Sequence, residues 1–229
     1  VKDDAYFAAI DAGTIGERTI IYSSKGTIVS QKYSEHPSYY PIPNWVEQDA
    51  TEWWNHVCET AKAALNEAAE KGVSKNAIAA ISVTNQRETI VPVDKNAVPL
   101  RRAIVWQDRR TVSQCEWISK NVGSNLVYQT TGLLIDPYFS APKIRWIKEN
   151  EPKIYEKTFK FLLVHDYLMA KFTGSFITSW DNASRTMLFD IVKLDWSEEL
   201  AKRIGIDIDK MPKPVPPGEK VGEIDGLSA

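Results

Sequence analysis

The chain has 229 residues, 43% hydrophobic and 25% charged, with a formal net charge of −2. Such a composition is that of an ordinary globular protein, and a chain this long buries about 70% of its unfolded surface without needing staples. The balanced charge argues against a sequence-independent nucleic-acid binder, no apolar run is long enough for a membrane span, and the N-terminus does not read as a signal. Length allows one large or two small domains. Two cysteines, Cys58 and Cys115, make no disulfide framework, and the expected setting is cytoplasmic. The three histidines, His36, His56 and His165, lack the Cys/His spacing of a structural zinc site.

The first third has a β-β-β-α-β rhythm. Tyr6 to Ile10 is a short apolar strand ending at Asp11, and a Gly-containing turn runs from Ala12 to Gly16. A second strand spans Arg18 to Tyr22, Lys25-Gly26 turns the chain, and a third strand lies near Ile28 to Tyr33. After a Pro-rich loop, Pro37 to Pro43, Asp49 and Glu52 form a capping-box pattern at a helix start. Trp54, Val57, Cys58, Ala61 and Leu65 recur at helical spacing, which places Cys58 on the buried face. Gly72 sits where a C-cap glycine belongs. Strands are expected at 78–84 and 89–93, the second at an edge or bulge because it holds Pro92.

Helix dominates the second half. Helices are expected over Asp108 to Lys120 and Ala141 to Asn150, and a short one opens at Pro152. Phe159 to Val164 reads as a strand, and Asp166 to Phe172 as a helix stopped by Gly174. Ser197 caps a last helix that ends at Gly205; Pro212, Pro214, Pro216 and Pro217 then give linker or extended-edge composition. Asp225 to Ala229 shows no closing element and reads as a cut or a boundary before more protein.

Asn85-Gln86-Arg87-Glu88-Thr89 carries the chemistry. It follows Ala79 to Val83, an apolar run that reads as a buried strand, so Arg87 and Glu88 fall at a strand's carboxyl end. Open α/β sheets bind ligands there. A guanidinium only donates and a carboxylate only accepts, so together they grip a hydroxyl by its lone pair and its proton. A polyol or sugar suits that clamp; the plainer reading is a strand-end salt bridge. The Asp11-Ala12-Gly13-Thr14 turn offers backbone donors for a phosphate and a carboxylate for hydrated Mg2+, or else is only a hairpin turn. Trp106 is either a flat face for a polyol's C–H surface or a half-buried aromatic at a helix start. Asp108 is a candidate N-cap there, with Arg109 and Arg110 as solvated helix surface. Tyr138 either donates to a hydroxyl or is a satisfied core tyrosine, and His165 reads as structural.

Taken together these segments resemble the FGGY family of carbohydrate kinases, its glycerol kinase branch most closely. The matching pieces are Asp11-x-Gly13-Thr14 with Arg18, Trp45 to Asp49, Thr84 to Thr89, Ala103 to Thr111, Thr131-Gly132-Leu133 with Asp136 to Ser140, Asn182 to Phe189, Asp195-Trp196 and Gly205-Ile206. They run in family order along almost the whole chain. The resemblance implies an α/β, ribonuclease-H-like domain of the actin/hexokinase superfamily, a mixed sheet with flanking helices. It implies transfer of the ATP γ-phosphoryl group to a primary hydroxyl of a small polyol or sugar. Arg87 and Glu88 would hold the hydroxyls, Trp106 would pack on the carbons and Tyr138 would touch a hydroxyl. Gly13, Thr14 and Arg18 would face the ATP phosphates, with Asp11 by Mg2+ and the moving phosphoryl. A homodimer stays open.

Departures from the family pattern accompany these matches. Ile15-Gly16-Glu17 stands where the phosphate turn usually continues with Thr and Ser, which brings a carboxylate near the expected phosphates. Thr178 to Asp181 differs from the glycerol kinase pattern, and Val164 to Leu168 is closer to the xylulokinase branch. Glycerol, a pentulose or another polyol thus remain as substrates. The family's catalytic base, the Asp of a Gly-Asp-Gln motif, has no counterpart here; Asp225-Gly226 is not it. The expectation is therefore an N-terminal substrate-binding domain over 1–229, C-terminally incomplete, without the adenine-holding domain and inactive alone. The rivals are a non-catalytic polyol-binding module and an actin-like nucleotide switch.

Overall fold

A computed structural model describes residues 5–224; the expectation about Asp225 to Ala229 lies outside them. In chain order the elements are β1 Tyr6–Ala12, β2 Gly16–Ser23, β3 Ile28–Glu35, β4 Glu47–Gln48, α1 Ala50–Glu70, β5 Ile78–Asn85, β6 Ile90–Val93 and β7 Ala103–Ile104. There follow α2 Val112–Asn121, α3 Ser124–Thr131, α4 Ser140–Asn150, α5 Pro152–Lys157, β8 Lys160–Leu163 and α6 Val164–Thr173. The last are β9 Ile177–Ser179, α7 Trp180–Ala183, β10 Phe189–Asp190, β11 Asp195–Trp196, α8 Glu198–Ile204 and β12 Lys213–Val215. The chain forms two compact units; among described residues the first holds 5–37 and 51–86, the second 38–50 and 87–224.

The first unit is a mixed sheet in the order β3-β2-β1-β5, antiparallel except for the parallel β1–β5 pair. Helix α1 leads the chain from the β3 side of the sheet back to β5 at the opposite edge. Small residues let it lie close: Thr60 Oγ1 meets Thr19 Oγ1 at 3.0 Å, and Ser30 Oγ donates to the Ala64 carbonyl at 2.7 Å. Ala64 and Ala68 complete the seam against Ala8, Ile21 and Val73. The buried stripe is therefore Trp53, Val57, Thr60, Ala64 and Ala68, one residue round from the expected face, and Cys58 is only half-buried. The seam selects short side chains, which a search for bulky apolar ones passes over. Gly72 ends the helix as expected, with φ 85° and its N–H on the Ala69 carbonyl at 2.9 Å.

β5 departs from expectation. Ala79, Ala80, Ile81 and Ser82 are exposed, so the apolar run is an edge strand and not a buried one. It pairs with β1 on one side, and no described strand pairs with the other.

In the second unit an antiparallel sheet runs β4-β7-β6-β8, with smaller pairs β10–β11 and β12–β9 beside it. Its core joins Ile90, Ile104, Phe161 and Leu163 of the sheet to Ile118, Ile144, Ile147, Leu200 and Ile204 of the helices. Pro92 lies in an interior strand, not an edge. Its carbonyl accepts from Leu100 N at 2.9 Å, on the side where β6 pairs with β7 only through Ile90–Ile104. The missing N–H thus faces a stretch with almost no ladder to lose. β12 is an edge strand, as the prolines suggested. Ser197 caps α8 and Gly174 and Gly205 end α6 and α8 in the left-handed region. Two helices start elsewhere than their spacing predicts: α2 begins at Val112 and not Asp108, and α6 at Val164 and not Asp166. No helix among the described residues is long and apolar enough to cross a membrane.

Candidate functional site

The second unit gathers the polar residues of the strand-end motif around one tight turn. Thr89 N–H bonds the Arg87 carbonyl at 2.8 Å, and Glu88 at the centre has φ 65°. A three-residue turn with a positive φ at a bulky residue is rare and strained. It points the Glu88 carboxylate inward, 1% exposed, where Arg185 Nε donates to Oε1 at 2.7 Å. Arg87 stays exposed and makes no ion pair among the described residues. The strand-end salt bridge between Arg87 and Glu88 is thereby ruled out in this geometry; the two side chains are presented separately.

Trp106, just after β7, donates its backbone N–H to Thr89 Oγ1 at 3.1 Å. Its ring meets Tyr138 edge-on at 5.5 Å. The Tyr138 backbone N–H is held by Asp136 Oδ1 at 2.8 Å. Burial first, then the Glu88 charge, push the Tyr138 phenol above its ordinary value. Glu88, Trp106 and Tyr138 are thus brought together, with Arg87 adjacent in the chain. Arg185 belongs to the same cluster and was given no role from sequence; its place in the Asn182-Ala183-Ser184-Arg185 motif was the available signal.

Beneath Trp106 lies a charged frame. Asp108 is fully buried and caps no helix: Oδ2 accepts from Val46 N at 2.6 Å, and the Arg110 side chain donates to Oδ1 and Oδ2 at 2.9 and 2.7 Å. Arg110 is buried, not solvated helix surface, with its guanidinium 3.7 Å from the Trp45 ring centre and 4.9 Å from that of Trp146. Glu47 accepts from both Arg110, at 2.9 Å, and Arg101, at 2.5 Å. Arg109 is exposed and pairs with Asp136 at 2.8 Å. His165 bonds Asp166, which caps Leu163 N at 3.0 Å, a structural arrangement.

The first unit carries the Gly-containing turn. Asp11 of β1 lies opposite Arg18 of β2, so both side chains leave the sheet on one face, and both are exposed. Ala12 and Glu17 alternate to the other face and are buried. Glu17 therefore does not sit in the open turn as expected. Its Oε2 is 2.9 Å from His36 Nδ1, both side chains fully enclosed, and burial pushes its carboxyl above the ordinary range. Gly13 N–H bonds the Gly16 carbonyl at 3.0 Å, and His36 N–H bonds that of Ile15 at 3.0 Å. Gly16 is required by crowding: a Cβ there would lie 2.3 Å from the Ser34 carbonyl.

A mixed sheet of this order, crossed by a helix and followed by a second α/β unit, is the fold of actin/hexokinase-like, ribonuclease-H-like sugar kinases. The chain belongs to the FGGY family of carbohydrate kinases, whose N-terminal domain model matches residues 6–228. It is 40% identical over 224 residues to glycerol kinase 2 of Thermotoga maritima, covering 95% of this chain and 45% of that protein. To glycerol kinase 2 of Streptomyces coelicolor it is 38% identical over 231 residues, covering 96% and 44%. Among solved structures, Plasmodium falciparum glycerol kinase with ADP superposes with a TM-score of 0.86 at 27% identity, covering 98% of this chain and 46% of that one. A xylulose kinase from Brucella ovis gives 0.90 at 25% identity, covering 97% and 45%. The chain thus spans about half the length of the relatives it matches.

Proposed function

We propose that residues 1–229 form the N-terminal, substrate-binding part of an ATP-dependent polyol kinase, with glycerol as substrate and glycerol 3-phosphate and ADP as products. The observation that carries this is the buried Glu88 carboxylate, held inward beside Tyr138 and Trp106. Glu88 would accept a hydroxyl proton, Arg87 and Tyr138 would donate to hydroxyl oxygens, and the Trp106 indole would cover the carbon chain. In the first unit Gly13 and Thr14 would offer backbone donors to the ATP phosphates, with Arg18 as the cation.

Asp11 fits a magnesium ion held through water. It is a single exposed carboxylate beside Arg18, and no described group of three His, Cys, Asp or Glu gathers into a metal cage. Mg2+ keeps several waters and binds through one or two carboxylates plus phosphates, so one carboxylate suffices. When bound, the ion would neutralise phosphate charge.

The names of the relatives and the clustering around Glu88 favour glycerol; the xylulose kinase likeness makes a pentulose the second reading. Residues 1–229 by themselves are expected to give no turnover. A thermal-shift panel of glycerol, xylulose and other polyols, repeated with ATP-Mg2+, tests the reading in the protein as its gene encodes it. Glycerol should raise the transition temperature. Stabilisation by ATP-Mg2+ and by no polyol points to the nucleotide-switch reading.

A further inference from the structure

Glu88 is an expensive residue to hold. A non-glycine residue at φ 65°, with a buried carboxylate, is strained and persists only where its surroundings over-determine it. Three side chains, from two distant segments, do so. From the first turn of α4, the fully buried Lys143 ammonium donates to the carbonyls of Tyr138, of Phe139 at 3.2 Å and of Glu88 at 3.4 Å. Ser140 Oγ adds a bond to the same Glu88 carbonyl at 3.1 Å. From the segment after α7, Arg185 Nε holds the Glu88 carboxylate at 2.7 Å and lies over the Phe139 ring at 5.1 Å.

We propose that Lys143 and Arg185 are positioning residues for the polyol site, Lys143 tying the Glu88 turn to the Tyr138 segment and Arg185 setting the direction of the Glu88 carboxylate. Neither is assigned contact with substrate; each acts through Glu88 and Tyr138. The inference rests on the polyol reading above. Donor count sharpens it. An ammonium has three donors for three carbonyls, and a neutral amine has two. Burial pulls the Lys143 ammonium down to about 7, against Asp108, Glu88, Cys115 and Asp136, the charged and titratable groups facing it. Above that pH one carbonyl goes unserved, and Glu88, at 3.4 Å, is the most distant. Burial, with the Glu88 charge, moves the Tyr138 phenol up from its ordinary value and so away from this range.

The test is steady-state kinetics in the protein as its gene encodes it, with glycerol and ATP varied separately between pH 6 and 9. Lys143→Met and Arg185→Met should each raise the glycerol KM about tenfold or more, the loss of a charged hydrogen bond, while the ATP KM stays put. Arg185→Lys, which keeps the charge, should recover part of the loss. The wild-type glycerol KM should climb as pH passes 7. If Lys143→Met does not fold, the partly exposed Arg185 variants and the wild-type pH profile still decide. A wild type that uses no polyol at all overturns the functional reading, and this inference with it. If the wild type saturates with glycerol and loses this on Arg87→Ala, yet the Lys143 and Arg185 variants keep the wild-type glycerol KM and the wild-type pH profile is flat, the inference alone is overturned.

Discussion

Replacing Arg110 with Met should destabilise the chain by about 3–5 kcal/mol, the cost of breaking a buried ion pair from one side. The structure gives the same size independently. Asp108 loses two charge-assisted bonds, at 2.9 and 2.7 Å, each worth about 1.5–3 kcal/mol. It keeps only the backbone donors of Val46, at 2.6 Å, and of residue 110, at 2.9 Å. Glu47 is less affected because Arg101 still holds it at 2.5 Å. Met fills much of the volume between Trp45 and Trp146, so the loss reports charge and not a cavity. For a chain of this size each kcal/mol moves the melting temperature by about 2–4 °C, so a fall of about 6–20 °C is expected. Urea unfolding followed by tryptophan fluorescence, with a thermal melt by circular dichroism, measures both. Asp108→Asn added to Arg110→Met should return part of the loss, because the stranded charge is gone. A change within about 0.5 kcal/mol, the size usual for a surface arginine, would refute the buried-frame account.

Other outcomes follow from single residues. Glu17→Gln should stabilise the chain at pH 8 more than at pH 4. Burial raises the folded carboxyl above its ordinary range, so the folded state binds the extra proton and wild-type stability falls as pH rises from the ordinary carboxylate range through the folded one; paired urea titrations check the sign. Gly16→Ala should cost about 1–3 kcal/mol or more, since its Cβ meets backbone at the Ser34 carbonyl, and the same unfolding assay reads it. Trp106→Ala should weaken glycerol binding with little loss of stability, because the indole is only half-buried; intact binding with a loss of about 3–5 kcal/mol would make Trp106 a core residue instead. Asp11→Asn should lower kcat while leaving the glycerol KM near wild type, and a normal kcat at ordinary Mg2+ would reduce the turn to a hairpin.

Much of this fold is written locally. Gly72, Gly174, Gly205, Ser197 and Pro152 mark helix ends because cap chemistry needs only neighbouring residues. Tertiary surroundings decide the rest. Ile81 reads as core by its apolar neighbours, yet sheet order leaves it 40% exposed at an edge. Trp54 outranks Trp53 in no property of the sequence; the seam of Thr60 and Ala64 turns Trp53 inward. Arg110 looks like helix surface until two tryptophans from other segments enclose it. β9, α7, β10 and β11 are too short for any periodicity to reveal. At the site, Glu88, Trp106 and Tyr138 were legible as chemistry in a motif. Arg185 lies in the Asn182-Ala183-Ser184-Arg185 motif, but its pairing with Glu88, 97 residues away, is encoded by no local pattern.

A coupled ADP-release assay on the protein as its gene encodes it, with glycerol varied at saturating ATP-Mg2+, tests polyol phosphorylation through Glu88 most directly. Wild type should saturate with glycerol. Glu88→Gln should lose at least about tenfold in kcat/KM for glycerol, since an amide of the same shape offers Arg185 and a hydroxyl no charge. Equal kcat/KM values in the two proteins, or ADP release that ignores glycerol in the wild type, would contradict it.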